Sequence, residues 1–403
     1  MPAAAATHDE INAAIDKGLA YLATSQQGSG YWAFGGFEPA ATGAAAFAML
    51  SQKGQWDAGV SADYQARVDK AVGYLLSTAT RVNVSARNDG VAICPGGGTC
   101  SAVYWSAAGD EDTYTTGLIA PALALYGKAN PNAVATTTGA LAGMTWQQIA
   151  QGIVNTFAAS QSTGNQGVLR GGWRYSLASG VYDSDMSTTQ WAAIAMLYSQ
   201  QLGATVPGVV KTDLANFLSF TQDPVSGAGC YQGVGSGLCD HSDTGGLLIS
   251  KYFIGANASD PSVQKAIAFL RNHWSMGANN TWYGNFGQPY AMWAVYKGLE
   301  TQLGLDDNTG VPLAAGDCGT LSAGDSCNWW EDYNDFLVQS QLAGGGWPGY
   351  AYWYDPLATA FYLPILGGTQ IPDNDNGVPE PATLALAGLA LGGLMLRRRR
   401  VRA

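Results

Sequence analysis

The feature that most constrains this chain is a unit that recurs along it. Each copy is an amphipathic segment, usually ending in Gln, followed by glycines and an aromatic residue. Apolar residues at three- and four-residue steps predict a helix, and the glycines after it predict its end. The clearest copies are Lys17–Gln26 before Gly30 and Trp32, Gly152–Gln161 before Trp173, Asn216–Gln222 before Tyr231, and Asn334–Gln341 before Trp347, with weaker copies beginning at Lys70 and Lys265.

A second, more apolar segment follows each unit. Alternating amphipathic and nearly all-apolar helices predict an outer ring wrapped around an inner one. We therefore expect an all-α fold, an (α/α)6 toroid of six helical hairpins over residues 8–368, without any strand. An open solenoid of helix pairs is the alternative. Threonine begins most of the apolar segments, which predicts an N-cap role: Thr42–Leu50, Thr115–Tyr126, Thr188–Tyr198, Thr244–Phe253, Gln288–Leu299 and Thr359–Leu366.

Charge limits the partners of the chain. The formal net charge is −11, although five of the 19 basic residues lie at the extreme C-terminus. An acidic body repels phosphate, so we expect no nucleic-acid partner.

The C-terminus predicts a membrane anchor. A linker over residues 369–377 precedes a Pro-Glu-Pro triplet in segment 378–403, then an apolar run, Ala382–Leu396, and a cluster of arginines. Such a run is shorter than the roughly 20 residues that span a bilayer, and the basic cluster favours a cytoplasmic C-terminus.

These residues resemble the PEP-CTERM sorting signal of Gram-negative bacteria. The motif is carried by Pro379, Glu380 and Pro381 and by Arg397, Arg398, Arg399 and Arg400. The resemblance implies export, recognition by an exosortase-type enzyme, a transient stay in the inner membrane through a transmembrane helix, and display at the cell surface or in the extracellular matrix. An exported protein needs a signal peptide, which Met1–Glu10 does not provide, so we expect one upstream.

Six cysteines agree with export because disulfides form in oxidising compartments. They lie in three sequence-local pairs, and we expect the bridges Cys94–Cys100, Cys230–Cys239 and Cys318–Cys327. Reduced thiols are the alternative. No spacing of Cys and His indicates a metal site.

The first repeat resembles a known family. Lys17, Gly18, Tyr21, Leu22, Gln26, Gly30 and Trp32 match the QW repeat of squalene–hopene cyclases and of the wider prenyltransferase/squalene-oxidase repeat group. The resemblance covers residues 11–367 and implies a terpenoid-cyclase-like toroid. From the residues themselves, we expect the Gln side chain to bond backbone at a helix end, with the Trp stacked on it.

Two carboxylates before an inner helix are the candidate catalytic residues. Asp183 and Asp185 could share a proton, raising one pKa. They resemble the Asp-x-Asp-Asp motif of class II terpene cyclases, which would make Asp185 the acid that protonates an alkene. Met186 stands where the last Asp of that motif belongs. The alternative is that both acids cap the helix N-terminus.

Other polar clusters carry weaker predictions. The run Cys239–Asp243 is a hydrolytic candidate, with a solvated loop as the alternative, and His273 at a helix end is favoured by the helix dipole alone. Prenyltransferase-type zinc binding needs ligands that this chain lacks, and nothing in the sequence indicates a cofactor.

Aromatic residues supply candidate ligand contacts. We expect Trp173, Trp191, Trp282, Tyr290, Trp293 and Trp347 to line the ring or to pack between its layers. The sequence thus favours an exported binding or structural protein that contacts exopolysaccharide or an apolar ligand, rather than an enzyme. The alternatives are a terpenoid cyclase-like enzyme and a polysaccharide hydrolase or lyase that uses carboxylates at the ring mouth.

Overall fold

The computed structural model describes residues 6–164, 169–177, 183–277, 283–305 and 328–374. The described residues up to Asp373 form one compact unit. Within the described residues the helices are α1 His8–Ser25, α2 Glu38–Ser51, α3 Ser61–Thr78, α4 Asp112–Gly127, α5 Trp146–Ser160, α6 Met186–Gln200, α7 Gly208–Thr221, α8 His241–Ile254, α9 Pro261–Asn272, α10 Pro289–Leu303, α11 Trp329–Ser340 and α12 Leu357–Leu366.

Odd-numbered helices form the outer layer and even-numbered helices the inner one. In α1 the buried Ile15, Leu19 and Leu22 recur at three- and four-residue steps, and the other face is exposed. In α6 nearly every residue is buried, so this helix is surrounded by protein. The difference follows from the apolar patterns, since an amphipathic helix has one face for the core and a uniformly apolar helix needs cover on all sides.

The inner helices close into a ring. Each packs against the next, from α2 through α4, α6, α8 and α10 to α12, and α12 packs back against α2. Small residues permit these approaches, because a Cβ on Gly117 or Gly245 would collide with the neighbouring inner helix. The all-α toroid is therefore confirmed, and the open solenoid is wrong.

The recurring glutamines join successive outer helices. Gln26 donates from Nε2 to the Gly30 carbonyl within its own corner and to the Arg67 carbonyl of α3, both at 2.9 Å. Gln161, Gln222 and Gln341 make the equivalent pairs of bonds. The last of these, to Ala14 of α1, links the final outer helix to the first.

The sequence had suggested that the threonines of the inner helices are N-caps. That prediction is wrong. The helices begin about one turn earlier, and the caps include Asp185 and Asp240. The threonine hydroxyls instead bond the backbone of the preceding corner: Thr42 accepts from the Trp32 N–H at 3.1 Å, and Thr188 donates to the Trp173 carbonyl at 2.7 Å. The indole of Trp32 donates to the Leu22 carbonyl at 2.9 Å, so the tryptophan ties a corner to its outer helix.

In the part of the chain that the structure describes, four short strands, which the sequence analysis did not predict, form two antiparallel hairpins. They are β1 Thr80–Val84 with β2 Cys100–Tyr104, and β3 Gly229–Cys230 with β4 Cys239–Asp240. Each hairpin carries one predicted disulfide, and both bridges, Cys94–Cys100 and Cys230–Cys239, are present. The third predicted pair, Cys318–Cys327, lies outside the described residues.

Candidate functional site

All six connections from an outer helix to the next inner helix lie at one rim of the toroid. This follows from the topology, because the outer helices end there and the inner helices begin there. We call the described parts of these connections the corners; they lie within residues 26–37, 79–111, 161–185, 222–240, 273–288 and 341–356. They bring polar and aromatic side chains from distant parts of the chain together.

Asp185 is the N-cap of α6 and is fully buried. Its Oδ1 accepts from the Thr188 backbone N–H at 2.8 Å and from the Ser187 hydroxyl at 2.6 Å, and its Oδ2 pairs with Arg174. Burial raises the pKa of Asp185, while the bonds from Ser187, Thr188 and Arg174 act in the opposite direction. The carboxyl is therefore a helix cap that also bonds a cation.

Asp183 binds the same cation from a more exposed position. Its Oδ2 lies 3.2 Å from Arg174 Nε, and its Oδ1 accepts from Gln232 Nε2 at 3.0 Å. Arg174 therefore lies between the two carboxylates that the sequence analysis singled out.

Two tyrosine rings enclose the guanidinium. Arg174 lies 4.7 Å from the ring centroid of Tyr175 and 5.7 Å from that of Tyr231. It also donates to the Tyr231 hydroxyl at 2.8 Å, and the Tyr231 and Tyr175 hydroxyls are 2.9 Å apart. The cation is thus held by aromatic faces as well as by carboxylates.

Glu111, at the N-cap position of α4, is a functional candidate that sequence reasoning missed. Burial and the charges of Asp185 and Asp112 together raise its pKa to about 7, although Arg174 acts in the opposite direction. A carboxyl with such a pKa exchanges its proton near neutral pH. In the sequence, the only signal that could have indicated Glu111 was the acidic run before α4.

Aromatic rings continue from this cluster across the rim. Tyr175 stacks on Tyr114 with centroids 5.8 Å apart, and Tyr114 contacts Trp353 at 5.9 Å. Tyr354 follows in sequence and packs on Phe34 at 4.7 Å. We define two overlapping sets of residues. The aromatic band consists of Phe34, Tyr354, Trp353, Tyr114, Tyr175 and Tyr231. The rim cleft consists of Glu111, Tyr114, Arg174, Tyr175, Asp183, Tyr231 and Trp353.

Below the rim cleft, side chains fill the centre of the ring. Trp353 stacks on Tyr290 with centroids 4.6 Å apart, and Trp191 stacks on Phe361 at 5.9 Å. The cavity that Trp191, Trp293 and Phe361 help to line has a volume of about 10 Å³. That is room for about one water molecule.

A buried polar chain crosses this aromatic interior. Tyr290 donates to the Ser187 carbonyl at 2.7 Å and accepts from Gln190 Nε2 at 2.7 Å. Gln190 in turn accepts from Lys297 at 3.3 Å, and the Lys297 amine lies 4.1 Å from the Trp191 ring centroid. Burial lowers the pKa of Lys297 well below its usual range.

The predicted aromatics therefore fall into two groups. Trp191, Tyr290 and Trp293 lie at the centre of the ring. Trp173 and Trp347 are fully buried between the helical layers, where each indole donates to an outer-helix carbonyl at 2.8 Å. Trp282 lies outside the described residues.

The cluster around Asp240 is buried. Asp240 caps α8, and His241 Nε2 donates to the His273 carbonyl at 2.9 Å. Burial lowers the pKa of His241 to about 4. Among the residues that the structure describes, no group of His, Cys, Asp and Glu side chains is arranged to hold a metal ion.

Comparisons with known proteins identify the C-terminal segment. Residues 377–400 match the model of the PEP-CTERM protein-sorting motif. The chain thus carries the signal of an exported protein that an exosortase-type enzyme recognises and that is anchored through its C-terminus during sorting. The residues of that signal lie outside the described part of the structure, and in the described part no helix is long and apolar enough to cross a membrane.

The remaining comparisons concern the whole chain. Eight chains of solved structures match it. One is the apo structure of the type II terpene cyclase MstE from Scytonema, with a TM-score of 0.49 and 12% identity over 90% of this chain and 98% of that one. No curated protein is significantly similar in sequence.

Proposed function

We propose that this chain is an exported surface or matrix protein of a Gram-negative bacterium whose toroid binds a glycan at the rim cleft. The observation that carries this proposal is the aromatic band, which presents partly exposed rings in series beside charged groups. Tyr354 is 51% exposed and the adjacent Tyr352 is 74% exposed. Rings that are fixed by packing and open on one side are suited to stacking on sugar rings, and the charged groups of the rim cleft can bond hydroxyls.

The filled centre of the ring supports binding at the rim rather than inside. A terpenoid substrate would need a deep apolar cavity, whereas the cavity beside Trp191 holds about 10 Å³. Cyclase action through Asp185 would also need a neutral carboxyl, and Asp185 is paired with Arg174. Kinship with the QW-repeat proteins and the role of Asp183 and Asp185 as acids stay predictions.

One specific observation favours a second candidate, a glycan-cleaving enzyme. A pKa of about 7 would allow Glu111 to act as a general acid at neutral pH, with Asp183 or Asp185 as the second carboxylate. Release of reducing ends from a bound polysaccharide would distinguish cleavage from binding alone.

The test is a binding measurement with the full chain and the exopolysaccharide of its own host. We expect Trp353→Ala and Tyr354→Ala to weaken binding about tenfold or more, because truncating an aromatic anchor typically costs about 2 kcal/mol. Tyr126→Ala is the control, since Tyr126 lies where α4 ends, at the opposite rim of the toroid, and packs on Trp146. Equal affinity for all four proteins, with helical content unchanged, would refute the proposal.

A further inference from the structure

The turn before α12 presents two exposed aromatic rings. Tyr350 and Trp353 exchange backbone hydrogen bonds, with N to O distances of 3.1 and 2.9 Å, so Ala351 and Tyr352 form the tip of a tight hairpin turn. Tyr352 is 74% exposed, and Tyr354, just after the turn, is 51% exposed. Among the large apolar side chains that the structure describes as exposed, these two are the only aromatic ones. Exposed aromatic rings that lie together in this way are typical of ligand contacts.

Packing and backbone conformation hold this turn in place. Trp353 stacks on Tyr290 with ring centroids 4.6 Å apart, which fixes the turn to the centre of the ring. A Cβ on Gly349 would collide with Tyr354, so the two arms of the turn lie in contact. Ala351 has φ +51°, in the left-handed region that residues other than glycine rarely adopt. Strained backbone of this kind is concentrated at binding sites, where it preorganises the contact surface.

The first corner extends the exposed surface beside this turn. The Tyr354 ring packs on Phe34 with centroids 4.7 Å apart and planes at 34°. Gly35 is exposed and has φ +57°, and a Cβ there would lie 3.8 Å from the Tyr354 hydroxyl. The absence of a side chain at Gly35 therefore leaves the area beside that ring open. We call Phe34, Gly35, Tyr352 and Tyr354 the stacking platform.

The stacking platform lies in corners with little charge. The first corner contains no charged side chain, and the last corner contains one, Asp355. Asp355 is half-buried, and its Oδ1 accepts from the Thr359 backbone N–H at 3.1 Å and from the Thr359 hydroxyl at 2.5 Å. Glu38, at the start of α2, accepts from the Gly36 N–H at 3.1 Å. The platform itself thus offers ring faces and no ionic group, and neither corner contains a basic side chain.

These observations specify the sugar that the platform fits. A hexopyranose whose hydroxyls are all equatorial presents C–H groups on both faces, and these apolar faces associate with aromatic rings in water. An equatorial linkage keeps successive rings of the chain flat. An axial hydroxyl or a carboxylate would lose water against the platform without gaining a partner, which costs free energy.

Resting on the proposed function, we propose that the stacking platform binds a neutral β-linked glucan. Its glucose rings lie against Tyr352 and Tyr354, and the chain continues past Trp353 to the rim cleft, where polar side chains bond its hydroxyls. Tyr352, which lies outside the aromatic band, is therefore an additional binding residue.

Calorimetric titration of the full chain tests the ligand class. The probes are cellohexaose, mannohexaose with an axial hydroxyl on each ring, and the hexamer of glucuronic acid with the same linkage. We expect cellohexaose to bind at least about fivefold more tightly than mannohexaose and at least about tenfold more tightly than the charged hexamer. Raising NaCl from about 0.05 M to about 0.5 M should change the affinity for cellohexaose less than about twofold, because no ionic contact is involved.

Variants test the assignment to Tyr352. Tyr352→Ala should weaken cellohexaose binding about tenfold, whereas Tyr352→Phe, which keeps the ring, should stay within about twofold of the original affinity. The control is Leu342→Ala, which removes an apolar side chain that is 49% exposed in the same corner and should not change the affinity. Circular dichroism should be the same for all of these variants, since the replaced side chains are exposed.

The outcomes distinguish this inference from the proposed function. Absence of cellohexaose binding, or equal affinity for the three hexamers, would overturn the neutral glucan as ligand. Cellohexaose binding that is unchanged in Tyr352→Ala would overturn the stacking platform as its site. In each case, binding of the host exopolysaccharide would leave the proposed function in place. Failure of that polysaccharide and of all three hexamers to bind would remove the proposed function itself.

Discussion

Gln341 links the last outer helix to the first, and replacing it tests the closure of the ring directly. Its Nε2 donates to the Gly345 carbonyl at 2.9 Å and to the Ala14 carbonyl of α1 at 2.8 Å. Each bond contributes about 1 kcal/mol to the free energy of unfolding, so Gln341→Ala should cost about 2 kcal/mol. Gln222 makes the same pair of bonds in mid-chain, at 3.0 and 2.7 Å, and is also half-buried. Gln222→Ala should therefore cost about the same.

Urea denaturation followed by circular dichroism measures both variants. The control is Gln27→Ala, which removes an exposed side chain with one 3.3 Å bond to Ser25 and should cost less than about 0.5 kcal/mol. If the first and last hairpins did not meet, Gln341→Ala would lose only the bond to Gly345 and would cost about 1 kcal/mol, about half as much as Gln222→Ala. That result would refute the closed ring and, with it, the convergence of corners that forms the rim cleft.

Two further predictions concern stability. Gly345 has φ +94°, and a Cβ there would collide with the Lys17 carbonyl. Gly345→Ala should therefore lower the free energy of unfolding by about 3 kcal/mol in the same urea assay. The control is Gly344→Ala, where a Cβ would meet open space and the loss should be less than about 1 kcal/mol. His241 has a pKa of about 4 in the folded protein and 6.5 in the unfolded chain. Its contribution to the free energy of unfolding is therefore complete above pH 6.5. That contribution is lost as the pH falls towards 4, by up to about 3 kcal/mol. His241→Asn should flatten that part of the stability profile, and an unchanged acid limb would contradict the assignment.

The fold was predictable because two features of the repeat indicate it, the periodicity of its helices and the recurring Gln. A pattern of apolar steps needs no information about partners, since it says only which face is buried. The helix starts were harder to place. Thr188 and Thr244 look like caps in the sequence, but Asp185 and Asp240 lie one turn earlier and take that position, leaving the threonines to bond the corners.

The site was less predictable, because its chemistry arises from contacts between corners. Glu111 has a raised pKa because the packing of the corners buries it and brings the charge of Asp185 near it. Trp353 joins Tyr114 and Tyr290 although more than 60 residues separate it from either. The periodicity of the sequence does not indicate such contacts between distant residues. The catalytic role of Asp183 and Asp185 stays a prediction, and the cation that lies between the two carboxylates was not foreseen.

The two disulfides lie in corners at the rim, and they form in the oxidising compartments that exported proteins enter. Corners with a Gln-and-Trp pair are held by the repeat itself, but the corner before α4 has no such Gln and contains the β1–β2 hairpin with Cys94–Cys100 instead. The corner before α8 lacks the Trp and contains Cys230–Cys239. That second bridge begins at the residue before Tyr231, whose carbonyl accepts from Met186 N at 2.8 Å and so joins the start of α6. An oxidising compartment therefore stabilises these two corners, which depart from the repeat. Because Tyr231 encloses Arg174, a chain that kept its cysteines reduced would retain the ring and lose part of the order of the rim cleft.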